Sequence, residues 1–167
     1  MKQPKAVVIG PPGSGKTTIG TALADRLGVS FRDTDTDVER TAGKPVSEIF
    51  IDDGEERFRE LEREAVRVAL AEHDGVVALG GGAILDPATQ ELLGAHTVVY
   101  LQVGLSDAVK RVGLASARPL LVLNPRSRLK ALMEERLPIY ERLATLTVAT
   151  DGRDPGDIVD EVAKAIE

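Results

Sequence analysis

Residues 10–17, near the start of the chain, are suited to holding a chain of phosphate groups. They read Gly-Pro-Pro-Gly-Ser-Gly-Lys-Thr and match the pattern G-x-x-x-x-G-K-[ST] at every fixed position. In such a loop the glycines let backbone N–H groups point inward at phosphate oxygens, and the helix that follows adds partial positive charge. Lys16 would reach the β- and γ-phosphates, and the Thr17 hydroxyl would ligate Mg²⁺. The spacing therefore predicts binding of a nucleoside triphosphate, without saying which reaction follows.

Two large classes of P-loop protein are excluded by motifs that the sequence lacks. Guanine-specific switch proteins carry N-K-x-D, but the only asparagine here is Asn124, which precedes a proline. They also carry D-x-x-G after a later strand, whereas the only match here, residues 25–28, ends the helix predicted after the P-loop. Motor and helicase ATPases close an apolar strand with an Asp-Glu pair, but the central apolar runs here end in glycine. A small phosphotransferase remains.

Three aspartates at alternate positions follow the second predicted strand. In an extended segment Asp33, Asp35 and Asp37 share one face, and they fall at a strand's carboxyl end, where ligands bind in α/β sheets. Asp33 is suited to holding Mg²⁺ through water, and Asp35 to hydrogen-bonding a hydroxyl group of the acceptor. Asp37 is expected to cap a helix that starts at Val38. A solvated acidic turn is the alternative interpretation.

Two arginines lie on or beside apolar helix faces. Arg136 belongs to a stripe at helical spacing whose other members are apolar or aromatic: Leu129, Leu132, Met133 and Tyr140. A buried guanidinium needs an anion, which is either a structural glutamate or a ligand's carboxylate or phosphate. Arg59 adjoins Phe58 and either binds a ligand or pairs with Glu55 or Glu62, one helical turn away. Arginine suits carboxylates because its planar fork binds both oxygens.

Two further segments are predicted to lie near a ligand. Residues 80–82 are three glycines directly after an apolar run, which permits a ligand to approach the backbone closely; a plain flexible turn is the alternative. Residues 114–125 fit neither helix nor strand and carry Arg118. Long irregular loops in compact domains are often functional, so this stretch predicts a mobile lid, with a tolerated surface loop as the alternative.

Short apolar runs alternate with helical patterns along the chain. Strands are predicted at residues 5–10, 29–32, 76–79, 96–103 and 146–149. Helices are predicted at residues 16–27, 55–71, 86–93, 106–113, 127–144 and 155–166. Pro138 should kink or tighten the helix that contains it, and Asp154 should cap the last helix. This alternation predicts an α/β fold, a parallel sheet with helices on both faces.

Composition limits the classes of function. The 167 residues suit one domain, here 1–167, and 43% of them are hydrophobic but only 3% aromatic. A net charge of -6 disfavours a nucleic-acid coat or a polybasic membrane anchor, and the absence of cysteine removes thiolate catalysis and disulfides. No apolar run approaches the ~20 residues of a membrane span, and no signal peptide is evident. We therefore expect a cytoplasmic protein that binds neither nucleic acid nor membrane.

Seven segments together resemble the shikimate kinases, which have the nucleoside-monophosphate-kinase-like P-loop fold. They are GPPGSGKTT at 10–18, DTD at 33–35, GEERFRELE at 54–62, LGGGA at 79–83, ARPLL at 117–121, ERLPIY at 135–140 and RDP at 153–155. The resemblance implies a five-stranded parallel sheet in the order 2-3-1-4-5. It also implies transfer of the ATP γ-phosphoryl group to the 3-hydroxyl of shikimate, which gives shikimate 3-phosphate and ADP in the pathway to chorismate. Small kinases of this type mostly need no partner, so the resemblance also implies a monomer.

The resemblance also implies roles for residues at the nucleotide end. Lys16 matches the phosphate-binding lysine, Thr17 the Mg²⁺ ligand, and Asp33 a carboxylate that holds Mg²⁺ through water. Arg118 matches a lid arginine that reaches the phosphates on closure. The ATP-binding set is Gly13, Ser14, Gly15, Lys16, Thr17, Thr18, Arg111, Arg118, Arg153 and Pro155. Within it, Arg111 and Pro155 match positions that flank adenine.

At the acceptor end, the resemblance assigns roles mainly within residues 33–62. Asp35 matches the residue that binds shikimate hydroxyls beside the reacting centre, so the implied catalytic residues are Lys16, Asp35 and Arg118. Arg59 and Arg136 match a pair that clamps the shikimate carboxylate. The remaining substrate-binding matches are the backbone of Gly81 and Gly82 and an apolar wall of Phe50 and Phe58.

Two alternatives to a shikimate kinase remain open on sequence alone. One is another small-molecule kinase of the same fold, acting on gluconate or a nucleoside monophosphate. The other is a nucleotide-binding regulatory module without catalysis. Paired arginines for a carboxylate and an aspartate for a hydroxyl favour a polyhydroxy acid as acceptor over a nucleotide.

Overall fold

One five-stranded sheet forms the centre of the molecule. The computed structural model describes the backbone of residues 3–113 and 125–166 and the side chains of residues 3–110 and 126–166. The strands are β1 (Ala6–Ile9), β2 (Phe31–Asp33), β3 (Val76–Ala78), β4 (Val98–Gln102) and β5 (Leu146–Ala149). All neighbouring pairs are parallel, in the order β2-β3-β1-β4-β5. The predicted fold class and strand order are confirmed.

Helices connect the strands and cover both faces of the sheet. They are α1 (Lys16–Leu27), α2 (Thr34–Ala42), α3 (Val46–Asp52), α4 (Gly54–Glu72), α5 (Pro87–Leu93), α6 (Leu105–Gly113), α7 (Pro125–Leu143) and α8 (Pro155–Ile166), with a 3₁₀ turn at Ala83–Leu85. Among them, none combines the length and the apolarity that crossing a bilayer requires. Helix α3 was not predicted, whereas α7 contains Pro138 as expected.

The central strand shows why the apolar runs are uninterrupted. Ala6 and Val8 of β1 pack against α1 and α8 on one face, whereas Val7 and Ile9 pack against α4, α5 and α7 on the other. Alternate residues of a strand point to opposite faces, so burial on both faces requires apolar side chains at every position. All four of these residues are fully or almost fully buried.

The acidic segment after β2 differs from its prediction. The chain turns into α2 at Thr34, so Asp33, Asp35 and Asp37 do not share the face of an extended strand, and no helix begins at Val38. The reason is local: the Asp33 carboxylate accepts a hydrogen bond from the Asp35 N–H (2.9 Å) and caps the helix. Acidic side chains in a first helical turn are also favoured by the helix dipole.

Asp37, predicted to be a helix cap, has a different structural role. Its carboxylate is largely buried and accepts a hydrogen bond from Arg32 Nε at 2.6 Å. This bond joins β2 to α2 and directs Asp37 away from its two neighbours. By contrast, the predicted cap at Asp154 is confirmed, since its side chain accepts a hydrogen bond from the Gly156 N–H at 2.8 Å.

Candidate active site

The strand order brings three sequence-predicted segments to one edge of the sheet. β2, β3 and β1 are consecutive neighbours, and their carboxyl ends lead into Asp33 and α2, the glycine run at 80–82, and the P-loop respectively. In an open parallel sheet the carboxyl edge is where ligands bind. The acidic segment, the glycines and the phosphate loop are therefore parts of one site.

The P-loop has the conformation that phosphate binding needs. Gly13 and Gly15 have φ values of 82° and 91°, a left-handed backbone that glycine adopts without a steric penalty. Lys16 opens α1, and its ammonium group donates to the carbonyls of Gly10 (2.8 Å) and Pro11 (3.1 Å). These bonds fold the lysine back across the loop, and the N–H groups at the start of α1 add a further favourable interaction with an anion bound there.

A hydroxyl and a carboxylate lie side by side at the end of the P-loop. The Thr17 hydroxyl donates to Asp33 Oδ2 at 3.4 Å, while Asp33 Oδ1 caps α2. Burial, followed by the nearby Asp35 charge, raises the pKa of Asp33, which makes a neighbouring cation favourable. In the described part of the chain no cluster of three or more His, Cys, Asp or Glu could hold a metal without help. The pair fits Mg²⁺, which typically takes one or two protein ligands together with substrate phosphates.

Two of the three glycines make room for charged side chains. A Cβ added at Gly80 would lie 2.6 Å from Asp35 Oδ1 and 3.0 Å from Glu62 Oε2. A Cβ added at Gly82 would lie 2.5 Å from Arg59 Nη1. The protein's own charged side chains thus lie directly against the backbone of Gly80 and Gly82. The interpretation as a plain flexible turn does not fit this packing.

Arg59 makes both of the local ion pairs that the sequence analysis considered for it, with Glu55 and with Glu62. Its guanidinium donates to Glu62 at 2.8 Å and lies 3.6 Å from Glu55, and its Cζ is 5.3 Å from the centre of the Phe58 ring. Arg59 and Glu62 also line a cavity of about 250 Å³ beside the glycines. The pairs hold the guanidinium at this cavity, so local pairing does not exclude ligand binding.

Glu62 is a site residue that the sequence interpretation missed. It lies on the buried face of α4, only 3% exposed, between the Arg59 guanidinium and the position a Gly80 Cβ would take. Its burial could have been predicted from its position one helical turn after Phe58, because the two residues lie on the same face of the helix. We did not make this prediction because glutamate normally lies in solvent.

Arg136 lies on the buried face of α7, as its stripe predicted. It is 5% exposed, and its Nε has no hydrogen-bond partner and no carboxylate in ion-pair range among the described residues. A Cβ added at Gly81 would lie 3.4 Å from Arg136 Nη1 and 3.3 Å from Pro12 Cδ. The guanidinium therefore lies next to the P-loop with no glutamate pairing it from the described residues, which favours a ligand anion as its partner.

The two phenylalanines differ in how far a ligand could reach them. Their ring centres are 4.8 Å apart, and they pack in a cluster formed by α2, α3 and α4. Phe58 is fully buried, whereas Phe50 is only half-buried. In this arrangement Phe50 can present an apolar surface to a ligand, and Phe58 supports it from behind.

Two residues predicted to bind ATP, of which Pro155 matches a position beside adenine, lie at the opposite end of the sheet from β2. Arg153 follows β5 and pairs with Glu161 at 2.8 Å, and the exposed Pro155 begins α8. Nearby, both oxygens of Asp151 accept from the Gly104 N–H at 2.9 Å and join the loops after β4 and β5. The P-loop, on central β1, thus lies between the acceptor residues that follow β2 and β3 and the pair Arg153 and Pro155.

Several predictions fall on parts that the structure does not describe. Arg118 and residues 114–124 of the predicted lid lie outside the described residues. The side chain of Arg111 does too, although its backbone belongs to α6. Their roles stay predictions.

Comparison with known proteins decides the family. The model of the shikimate kinase family matches residues 12–167. A shikimate kinase of Thermobifida fusca is 62% identical over 164 residues, which cover 98% of this chain and 95% of the relative. One from Streptomyces coelicolor is 53% identical over 167 residues, which cover 100% of this chain and 98% of the relative.

The chain belongs to the shikimate kinase family.

Solved shikimate kinases share the whole architecture. A shikimate kinase from Acinetobacter baumannii in complex with shikimate superposes with a TM-score of 0.94 at 33% identity and covers 99% of this chain and 93% of its own. A gluconokinase from Sinorhizobium meliloti reaches 0.58 at 22% identity, which shows a common fold only. The structural similarity therefore supports a shikimate kinase more strongly than a gluconate kinase. The sequence motifs had favoured the same assignment.

Proposed function

We propose that this chain transfers the γ-phosphoryl group of ATP to the 3-hydroxyl of shikimate and releases ADP and shikimate 3-phosphate. The observation that carries the proposal is the Arg136 guanidinium. It is buried, it lacks a carboxylate partner among the described residues, and it lies against the turn that also contacts the P-loop. An acceptor with a carboxylate would supply the missing anion and be held beside the phosphates.

At the nucleotide end, the protein positions and neutralises charge. Phosphoryl transfer depends mainly on positioning and electrostatic stabilisation, with little covalent chemistry from the protein. The P-loop N–H groups and Lys16 would hold the β- and γ-phosphates, while Arg153 and Pro155 would contribute to ATP binding, Pro155 beside the adenine. Mg²⁺, when bound by Thr17 and through water by Asp33, supplies further neutralisation of phosphate charge.

At the acceptor end, three charged side chains orient shikimate. Arg136 and Arg59 bind its carboxylate from α7 and α4, and the backbone of Gly81 and Gly82 lies between them. Asp35, whose carboxylate lies against Gly80, orients the attacking hydroxyl and is the group placed to accept its proton. The monomeric state, the cytoplasmic location and the contribution of Arg118 stay predictions.

A coupled assay of ADP release tests the proposal. The full chain is incubated with MgATP and shikimate, gluconate, AMP or no acceptor, and ADP is measured continuously. We expect rapid release with shikimate and a background rate with the others. Equal release without an acceptor, or none with shikimate, contradicts the proposal.

Gly82→Ala tests the packing between the glycine turn and Arg59. The added methyl group would lie 2.5 Å from the guanidinium, so the arginine must move while the rest of the fold is retained. We expect the KM for shikimate to rise about tenfold, the loss of roughly one charge-assisted hydrogen bond, with the KM for ATP unchanged. The matched control is Gly94→Ala, at the end of α5, where the new methyl would meet only the Glu91 carbonyl at 3.3 Å.

A further inference from the structure

The hydroxyl group of Tyr140 makes a buried hydrogen bond to which the proposed reaction assigns no role. Tyr140 is 1% exposed, and its ring stacks on Tyr100 of β4 with ring centres 4.9 Å apart and planes 11° apart. Its hydroxyl donates to the Gly81 carbonyl at 2.9 Å, across 59 residues of sequence. In sequence, Tyr140 belonged to the stripe on α7 and to the segment ERLPIY at 135–140, but no role was assigned to it. The structure adds a specific bond from that helix to the glycine turn.

This bond fixes the direction of one peptide group. The Gly81 carbonyl and the Gly82 N–H belong to the same planar peptide, and no peptide in the described chain is cis. In a trans peptide the two groups point in opposite directions, so holding the carbonyl also directs the N–H. Within the described part of the chain, nothing accepts a hydrogen bond from the Gly82 N–H. It is therefore available to an oxygen atom of a ligand.

The same bond also sets the position of α7. Arg136 and Tyr140 are four residues apart and so lie on one face of the helix. Both reach Gly81: Tyr140 through its hydroxyl, and Arg136 through Nη1, which would lie 3.4 Å from a Cβ at that glycine. If α7 shifted relative to the turn, the guanidinium and the Gly82 N–H would lose their alignment.

We propose that Tyr140 is a positioning residue for the acceptor. Its hydroxyl holds the Gly81 carbonyl so that the Gly82 N–H and the Arg136 guanidinium face the same ligand oxygens. Tyr140 itself touches neither the acceptor nor the phosphates. The inference rests on the proposed function, because shikimate is the acceptor whose carboxylate would use this alignment.

Tyr140→Phe tests the inference, because it removes the hydroxyl and keeps the ring and its stacking. We expect the KM for shikimate to rise about tenfold, as for the loss of a hydrogen bond in a buried site. The KM for ATP and the kcat should stay within about twofold of wild type, since neither the P-loop nor Asp35 is held by this bond. Tyr100→Phe is the matched control: it removes a hydroxyl from the other ring of the stacked pair and should leave both KM values unchanged.

A second readout does not depend on the reaction. In the ¹⁵N-labelled full chain, Tyr140→Phe should shift the Gly82 amide resonance, and Tyr100→Phe should not. An unchanged KM for shikimate in an active Tyr140→Phe enzyme overturns the inference, as does an equal rise in both KM values. If the wild-type protein releases no ADP with shikimate, the proposed function fails. The Gly82 resonance then decides whether Tyr140 holds the turn: a resonance that does not shift in Tyr140→Phe overturns the positioning role.

Discussion

Asp35→Asn is expected to lower kcat by about 10²- to 10⁴-fold, the range of general acid–base contributions, while ATP affinity stays near wild type. Asparagine keeps the size of the side chain, and the Asp35 backbone N–H still donates to Asp33, so the cap of α2 survives. What disappears is the negative charge that is proposed to orient the acceptor hydroxyl and to accept its proton. Steady-state kinetics with shikimate varied, together with a direct ATP titration, measure the two effects.

Asp37→Asn is the matched control for that prediction. Asp37 lies two residues further along α2 but pairs with Arg32, away from the glycine turn. We expect this variant to keep its kcat and to unfold at a lower temperature, because Arg32 loses its charged partner. Turnover retained by Asp35→Asn would remove Asp35 from the chemistry.

Arg136→Lys is expected to raise the KM for shikimate about 10- to 100-fold, the loss of one or two charge-assisted hydrogen bonds, and to change the KM for ATP little. Lysine retains the positive charge but lacks the planar fork, so it cannot bind both oxygens of a carboxylate in parallel. Lysine also lacks a group equivalent to the buried Nε of Arg136, which has no hydrogen-bond partner among the described residues. The measurement is a pair of KM values from one series of initial rates.

Arg142→Lys provides the comparison on the same helix. Arg142 is exposed, donates to Gln90 at 2.7 Å and lies away from the glycine turn. This variant should match wild type in both KM values. Equal increases in the two KM values of Arg136→Lys would argue against the carboxylate clamp.

Features with a strong local or periodic signal could be predicted from the sequence. The P-loop is contiguous, so its backbone and its lysine were both predictable. The burial of Arg136 followed from helical spacing over three turns. The strand order came from the resemblance to shikimate kinases, because pairing between distant strands leaves no periodic signal in the sequence.

Features that depend on a competing local bond or on distant packing could not be predicted. Alternation of acidic residues suggested an extended segment, but the cap made by Asp33 favours a helix there. Glu62 is of a residue type that usually lies in solvent, yet the glycine turn packs against its carboxylate. The Tyr140 hydroxyl finds its acceptor 59 residues away, a contact that no sequence spacing specifies.

The order β2-β3-β1-β4-β5 has a consequence for how acceptor preference can change. Groups proposed to recognise the acceptor come from segments after β2 and β3 and from α7, while Arg153 and Pro155, proposed to bind ATP, follow β5. Helix α7 itself lies between β4 and β5 in the chain, so the acceptor groups come from both sides of the central strand β1. Redesign for a new acid should accordingly change the β2–β3 half and α7 together.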